Sequence, residues 1–98
     1  MPDLRSRQVR YLRSLGHHLK PVVMIGDAGL TEAVLAELDA ALTHHELVKV
    51  RMRVGHRPTR DRMVATMEQR TGCSAVQRLG HTTLLYRRNP ENPRIRLP

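Results

Sequence analysis

In residues 47–54, Leu47-Val48-Lys49-Val50-Arg51-Met52-Arg53-Val54, apolar and basic side chains alternate from Val48 to Val54 without a break. Side chains of an extended strand point to opposite faces in turn. The pattern therefore predicts a strand with Val48, Val50, Met52 and Val54 facing a core. Lys49, Arg51 and Arg53 then form a basic row open to solvent. A single strand leaves its backbone N–H and C=O groups unpaired, so the rest of the chain must supply neighbouring strands and a cover for the apolar face.

The flanking segments meet that demand. Leu4, Gln8, Tyr11, Leu12, Leu15 and Leu19 recur near a helical period, predicting a first helix over 3–18 with Asp3 as N-cap. Arg5, Arg7, Arg10 and Arg13 fall mostly off that stripe, and Gly16 with His17-His18 loosens the helix end. Residues 20–25 read as strand one. Its apolar residues are continuous, so both faces should be covered, one of them by the first helix. Helix two runs over 31–44, capped by Thr31, with Val34, Leu35, Leu38 and Leu42 inward. Pro58 opens a third helix that ends at Gly72 and buries Met63, Val64 and Met67. Residues 73–79 and 82–87 form a hairpin about Gly80-His81, with Cys73 as a small core residue. Residues 89–98 are a proline-broken tail that Ile95 and Leu97 tack back onto a core of about residues 5–88.

The order α-β-α-β-α-β-β predicts one domain over residues 1–98, a two-layer α/β (α+β) fold with a four-stranded mixed sheet. Two strand–helix–strand crossovers should give parallel pairs, and the hairpin adds an antiparallel strand.

Between strand one and helix two lies Gly26-Asp27-Ala28-Gly29, a G-x-x-G loop. Glycine reaches positive φ without steric cost, so two of them three apart permit a sharp turn. The turn leaves backbone donors at the start of a helix, where a phosphate can bind. The loop also lies at the carboxyl end of a strand, where open α/β sheets usually hold ligands.

Composition narrows the class of ligand. Basic residues number 17 against nine acidic ones, a net charge of +8 in only 98 residues. Such an excess points to a polyanion. All the basic residues except Lys20 and Lys49 are Arg, whose planar fork suits phosphate; an Arg-rich genomic base composition would produce the same bias. Membrane association would call for Trp or Phe on an amphipathic helix, and the chain has neither. No apolar run is long enough to span a bilayer, and residues 1–5 lack a signal-peptide core. With one cysteine there is no internal disulfide, which fits a reducing, cytoplasmic setting. Tyr11 and Tyr86 are the only aromatic side chains, so a nucleic acid would be held by its backbone rather than stacked on rings.

No catalytic constellation is visible, so an enzyme with a small-molecule substrate is not expected. The pairs His17-His18 and His44-His45 are adjacent, and adjacent helical side chains splay too far apart to share a metal. No His-x-x-x-His or Cys-x-x-Cys spacing occurs, and neither metal nor cofactor is expected.

Four blocks in order carry a resemblance: Leu19-Lys20-Pro21-Val22-Val23; Gly26-x-x-Gly29-Leu30-Thr31-Glu32; His45-Glu46-Leu47-Val48-Lys49-Val50; and Gly80-His81-Thr82 through Leu85-Tyr86-Arg87. Over roughly residues 5–88 the chain resembles the CRM domain (chloroplast RNA splicing and ribosome maturation), in its short bacterial YhbY-type form. The resemblance implies an RNA-binding domain similar in fold to the C-terminal domain of a bacterial translation initiation factor, with the last strand of the hairpin between strands two and three. It implies association of bacterial members with the maturing large ribosomal subunit, and of plant relatives with group II intron splicing. It maps the RNA surface onto Gly26, Asp27, Ala28 and Gly29, with Lys20 and Lys49 at the basic positions of the flanking blocks.

By charge and placement, Arg51, Arg53, Arg10, Arg13 and His81 are further candidate RNA contacts. The expected partner is ribosomal RNA, bound by a monomer. An intron or RNA-chaperone role and a protein-interaction adaptor are the alternatives. Two positions depart from the family pattern. Asp27 stands where a basic or small polar residue is common, and a carboxylate there would repel phosphate. His81 stands where Lys is common.

Overall fold

A computed structural model of the protein describes residues 4–98. Its elements in chain order are α1 (Ser6–Gly16), β1 (Val23–Ile25), α2 (Glu32–His45), β2 (Leu47–Met52), α3 (Arg57–Thr71), β3 (Ser74–Leu79) and β4 (Thr82–Tyr86). The element order is the expected one. Asp3 lies outside the described residues; the N-cap of α1 is Arg5, whose backbone N–H donates to Gln8 Oε1 at 2.9 Å. Thr31 caps α2 as expected, its hydroxyl accepting from the Val34 N–H at 3.1 Å.

The four strands form one mixed sheet in the order β1-β2-β4-β3. β1 runs parallel to β2, while β4 is antiparallel to both β2 and β3. The second crossover therefore gives no direct parallel pair, because β4 sits between β2 and β3. Burial explains its central place: Thr83, Leu84, Leu85 and Tyr86 are all at most 1% exposed, so both faces of this strand need cover.

On one face of the sheet Val23, Ile25, Val48, Val50, Met52 and Leu85 meet Leu35, Leu38 and Leu42 of α2 and Val64 and Met67 of α3. On the other face Leu12 of α1 packs with Leu47, Val76, Leu84 and Tyr86. Gly16 sets how close α1 comes, since a Cβ there would overlap the Leu84 side chain. The helix stops at Gly16 and passes into a turn at His17-His18, where its end is expected to loosen, and Gly16 is in addition the point of closest contact.

α1 packs chiefly on β2, β3 and β4 and, contrary to expectation, leaves one face of β1 open. Met24 remains 49% exposed and Val22 53%. The continuous apolar run implied two covered faces, but β1 is a short edge strand beyond the footprint of α1.

The tail folds back as anticipated, with Ile95 and Leu97 against the α1 face. The residue that holds it is Glu46, between α2 and β2, at φ 62 and ψ −41. Its fully buried carboxylate accepts three backbone N–H groups, from Asn89, Arg94 and Ile95, each at 2.7 Å. Arg87 ties the same region to the α2 and α3 layer: its guanidinium donates to Asp39 Oδ1 at 2.6 Å and to the Thr71 carbonyl at 2.9 Å.

Candidate nucleic-acid interface

Two backbone bonds gather three segments at one end of the sheet. The Arg53 N–H donates to the Ile25 carbonyl at 2.9 Å, tying the end of β2 to the residue before the glycine loop. The Met52 N–H donates to the His81 carbonyl at 2.6 Å, tying the same end to the hairpin tip. Parallel pairing of β1 with β2 puts Met24 beside Arg51, and antiparallel pairing puts Arg51 beside Thr82. The glycine loop, Arg51, Arg53 and His81 therefore converge, as strand register requires.

Within the loop, the Gly29 N–H turns back onto the Gly26 carbonyl at 2.9 Å. Gly29 has φ +75, a conformation that suits glycine, but Gly26 lies outside the positive-φ region, so only one of the two glycines is needed for the turn. A Cβ on Gly26 would meet no atom within 4 Å. Neither packing nor backbone strain requires glycine there; its effect is to leave the surface bare. The N–H groups of Asp27 and Ala28 have no protein acceptor among the described residues. These donors and the start of α2 face solvent with Asp27 exposed between them. Glu32, in the first turn of α2, is neutralised by Arg70 at 2.6 Å, whose hydrogen bond and charge hold its carboxyl below the usual range.

The remaining candidates divide. Lys49 is half-buried on the α1 side of β2, and exposed Lys20 shares a groove with it. Arg10 is exposed on α1. Arg13 is partly committed to structure, its Nε donating to the Val76 carbonyl at 2.7 Å and so helping seat α1 on β3. Arg53 follows the last residue of β2 and is not part of a continuous strand row.

Arg60 escaped the sequence reading. Its Nη1 donates to the Gly55 carbonyl at 2.5 Å and lies 3.4 Å from His81 Nε2, while its Nε is buried without a partner. It braces the β2–α3 turn against the hairpin tip and adds a cation to this end. Helical periodicity gave no signal for it, because the contact crosses from α3 to a hairpin 21 residues away.

Cys73 is 5% exposed, and burial pushes its thiol pKa up, as befits a core residue. Among the described residues no group of three or more His, Cys, Asp or Glu could hold a metal ion. No helix of these residues is long and apolar enough to cross a membrane.

A four-stranded sheet with a glycine loop at one end, beside Arg51 and Arg53 that form no ion pair among the described residues, defines a small α/β domain with a basic edge. Residues 4–87 match the CRS1 / YhbY (CRM) domain, and the chain belongs to that family. It is 44% identical over 98 residues to an RNA-binding protein of Haemophilus influenzae, covering all of this chain and 98% of that one. It is 41% identical over 88 residues to a protein of Pseudomonas aeruginosa named as a probable RNA-binding protein, covering 90% of this chain and 85% of the relative. The solution structure of a hypothetical protein from Staphylococcus aureus, described as a candidate RNA-binding protein, superposes with a TM-score of 0.83 at 33% identity. That match covers 98% of this chain and 100% of the other.

Proposed function

We propose that this chain binds RNA by gripping the sugar-phosphate backbone at the loop end of its sheet. We propose further that its target is ribosomal RNA of the maturing large subunit, bound by a cytoplasmic monomer without cofactor or catalysis. The observation that carries the reading is the bare glycine loop, with unpaired N–H groups, held in register beside Arg51, Arg53 and His81. Backbone donors at a helix start and Arg forks are the groups that bind phosphate. The names of the relatives and the net charge of +8 support RNA as the polyanion. The ribosomal target rests on the likeness to the YhbY-type members of the family.

Titration of precursor large-subunit RNA at several salt concentrations tests the reading. Affinity should fall steeply with salt, because each neutralised phosphate releases counterions. The Arg51→Ser, Arg53→Ser double variant should stay folded and show a shallower slope. An intact slope would move the binding face elsewhere, with Arg10 on α1 the next candidate. Crosslinking in cells followed by sequencing of the attached RNA decides between ribosomal and intron targets.

A further inference from the structure

On the α1 side of the sheet, α1 ends at Gly16 over Leu84, and the strands continue past it uncovered. Strand register lays two rows across that open half. Val22 stands beside Lys49, which pairs with Leu84; Met24 stands beside Arg51, which pairs with Thr82, which in turn pairs with Leu79. Three large apolar side chains on this face are left to water: Val22 at 53%, Met24 at 49% and Leu79 at 68% exposure. Lys49 borders two hollows. One is a groove of about 460 Å3 shared with Leu19, Lys20 and Val22, and the other is a smaller one of about 70 Å3 shared with Leu79 and Thr82. Scattered apolar residues on a surface need no explanation, but here they stand at both edges of rows whose middle positions hold cations, Val22 and Met24 at the β1 edge and Leu79 at the β3 edge.

We propose that this open half of the sheet is a platform for unpaired bases, so that the RNA taken by the domain is single-stranded. The inference rests on the RNA reading above and deepens it. Charge complementarity selects the occupant. Lys49 and Arg51 lie between the apolar residues of the two edges, Lys20 borders the groove beside Val22, and Arg53 is tied to Ile25 at the end of β1, so whatever covers this face is anionic as well as apolar-faced. An unpaired nucleotide is both, with a flat base for Val22, Met24 and Leu79 and a phosphate for the adjoining cations. A duplex is anionic only, since its bases are enclosed in the stack and its deep major groove excludes side chains. A second copy of this chain would bring Lys49 and Arg51 of each protomer toward the same charges of the other, and like charges facing across an interface are costly. The scarcity of aromatic rings does not forbid the arrangement, because burying a base against aliphatic and thioether side chains still removes apolar surface from water.

The experiment compares a labelled single-stranded RNA with a duplex of equal length at one salt concentration, using the wild type and a Met24→Ser, Leu79→Ser variant. Both residues are exposed, and the variant's melting temperature should match the wild type. The wild type should bind the single strand about tenfold or more tightly than the duplex. The variant should lose that preference, while its salt slope stays unchanged because the phosphate contacts remain. A wild type that binds the duplex as well as the single strand overturns the platform and leaves the RNA reading standing. So does a variant with undiminished single-strand affinity. A wild type that binds neither RNA in dilute salt overturns the RNA reading itself.

Discussion

Glu46 Oε1 accepts the backbone N–H of Ile95 at 2.7 Å, across 49 residues of sequence. The same oxygen takes the Arg94 N–H, and Oε2 takes that of Asn89. One buried carboxylate thus fastens the tail at three points to the junction of α2 and β2. A non-glycine residue at positive φ costs on the order of 1–3 kcal/mol, and it persists where surrounding structure demands it. Here the demand is that the carboxylate point inward under the tail.

Replacing Glu46 with Gln removes the charge from this hub and puts an NH2 group where an acceptor is needed. Hydrogen bonds to charged groups contribute more than neutral ones, so Glu46→Gln should lower stability by about 2–4 kcal/mol. Chemical denaturation measures the loss. Hydrogen exchange should show the amides of Asn89, Arg94 and Ile95 losing protection first. Retained protection at all three would show that the tail docks through Ile95 and Leu97 alone.

Acid should act through the same group. Burial by itself would raise the pKa of Glu46, but the N–H donors of Asn89, Ile95 and Arg94, with the charge of Arg88, outweigh it and hold the carboxyl below the ordinary range. A group depressed in the folded state gives its full stabilisation above its unfolded pKa and loses it as pH falls through the folded value. The wild type should therefore keep this contribution at neutral pH and lose it on acidification below the ordinary carboxylate range. Its melting temperature should fall more steeply with acid than that of Glu46→Gln. Parallel curves would refute the linkage.

Gly26 separates binding from folding. Its φ is not positive and a Cβ would touch nothing, so Gly26→Ala should change stability by no more than about 0.5 kcal/mol. If phosphate approaches the loop closely, the added methyl should weaken RNA binding by roughly three- to tenfold. Unchanged affinity would place the RNA away from the loop.

Asp27 is the acidic side chain within that loop. Asp27→Lys should tighten RNA binding, and one more neutralised phosphate should steepen the salt dependence by roughly 0.7 on a single strand. Weaker or unaltered binding in a filter assay would mean that the loop does not face phosphate.

Gly16→Ala sets two effects against each other. Helix propensity favours Ala by about 1 kcal/mol, but the new Cβ collides with Leu84, which is 1% exposed. Overpacking a closed core typically costs about 1–3 kcal/mol, so the net change should be destabilising. A raised melting temperature would show that Leu84 can swing aside.

Local pattern carried much of this protein. The alternation of Val48, Lys49, Val50, Arg51 and Met52 determined a strand and the face it buries, because side-chain direction in a strand follows from adjacent residues. Thr31 and Gly72 marked helix ends for equally local reasons, and the G-x-x-G spacing located the loop. What only the tertiary structure decided lies between residues far apart in the chain. It pressed Gly16 onto Leu84, left Met24 outside the footprint of α1, and committed Arg13 to the carbonyl of Val76. It also turned Glu46 into the anchor of the tail. In each case the deciding partner is brought near by strand pairing or layer packing, so no window of neighbouring residues contains the information.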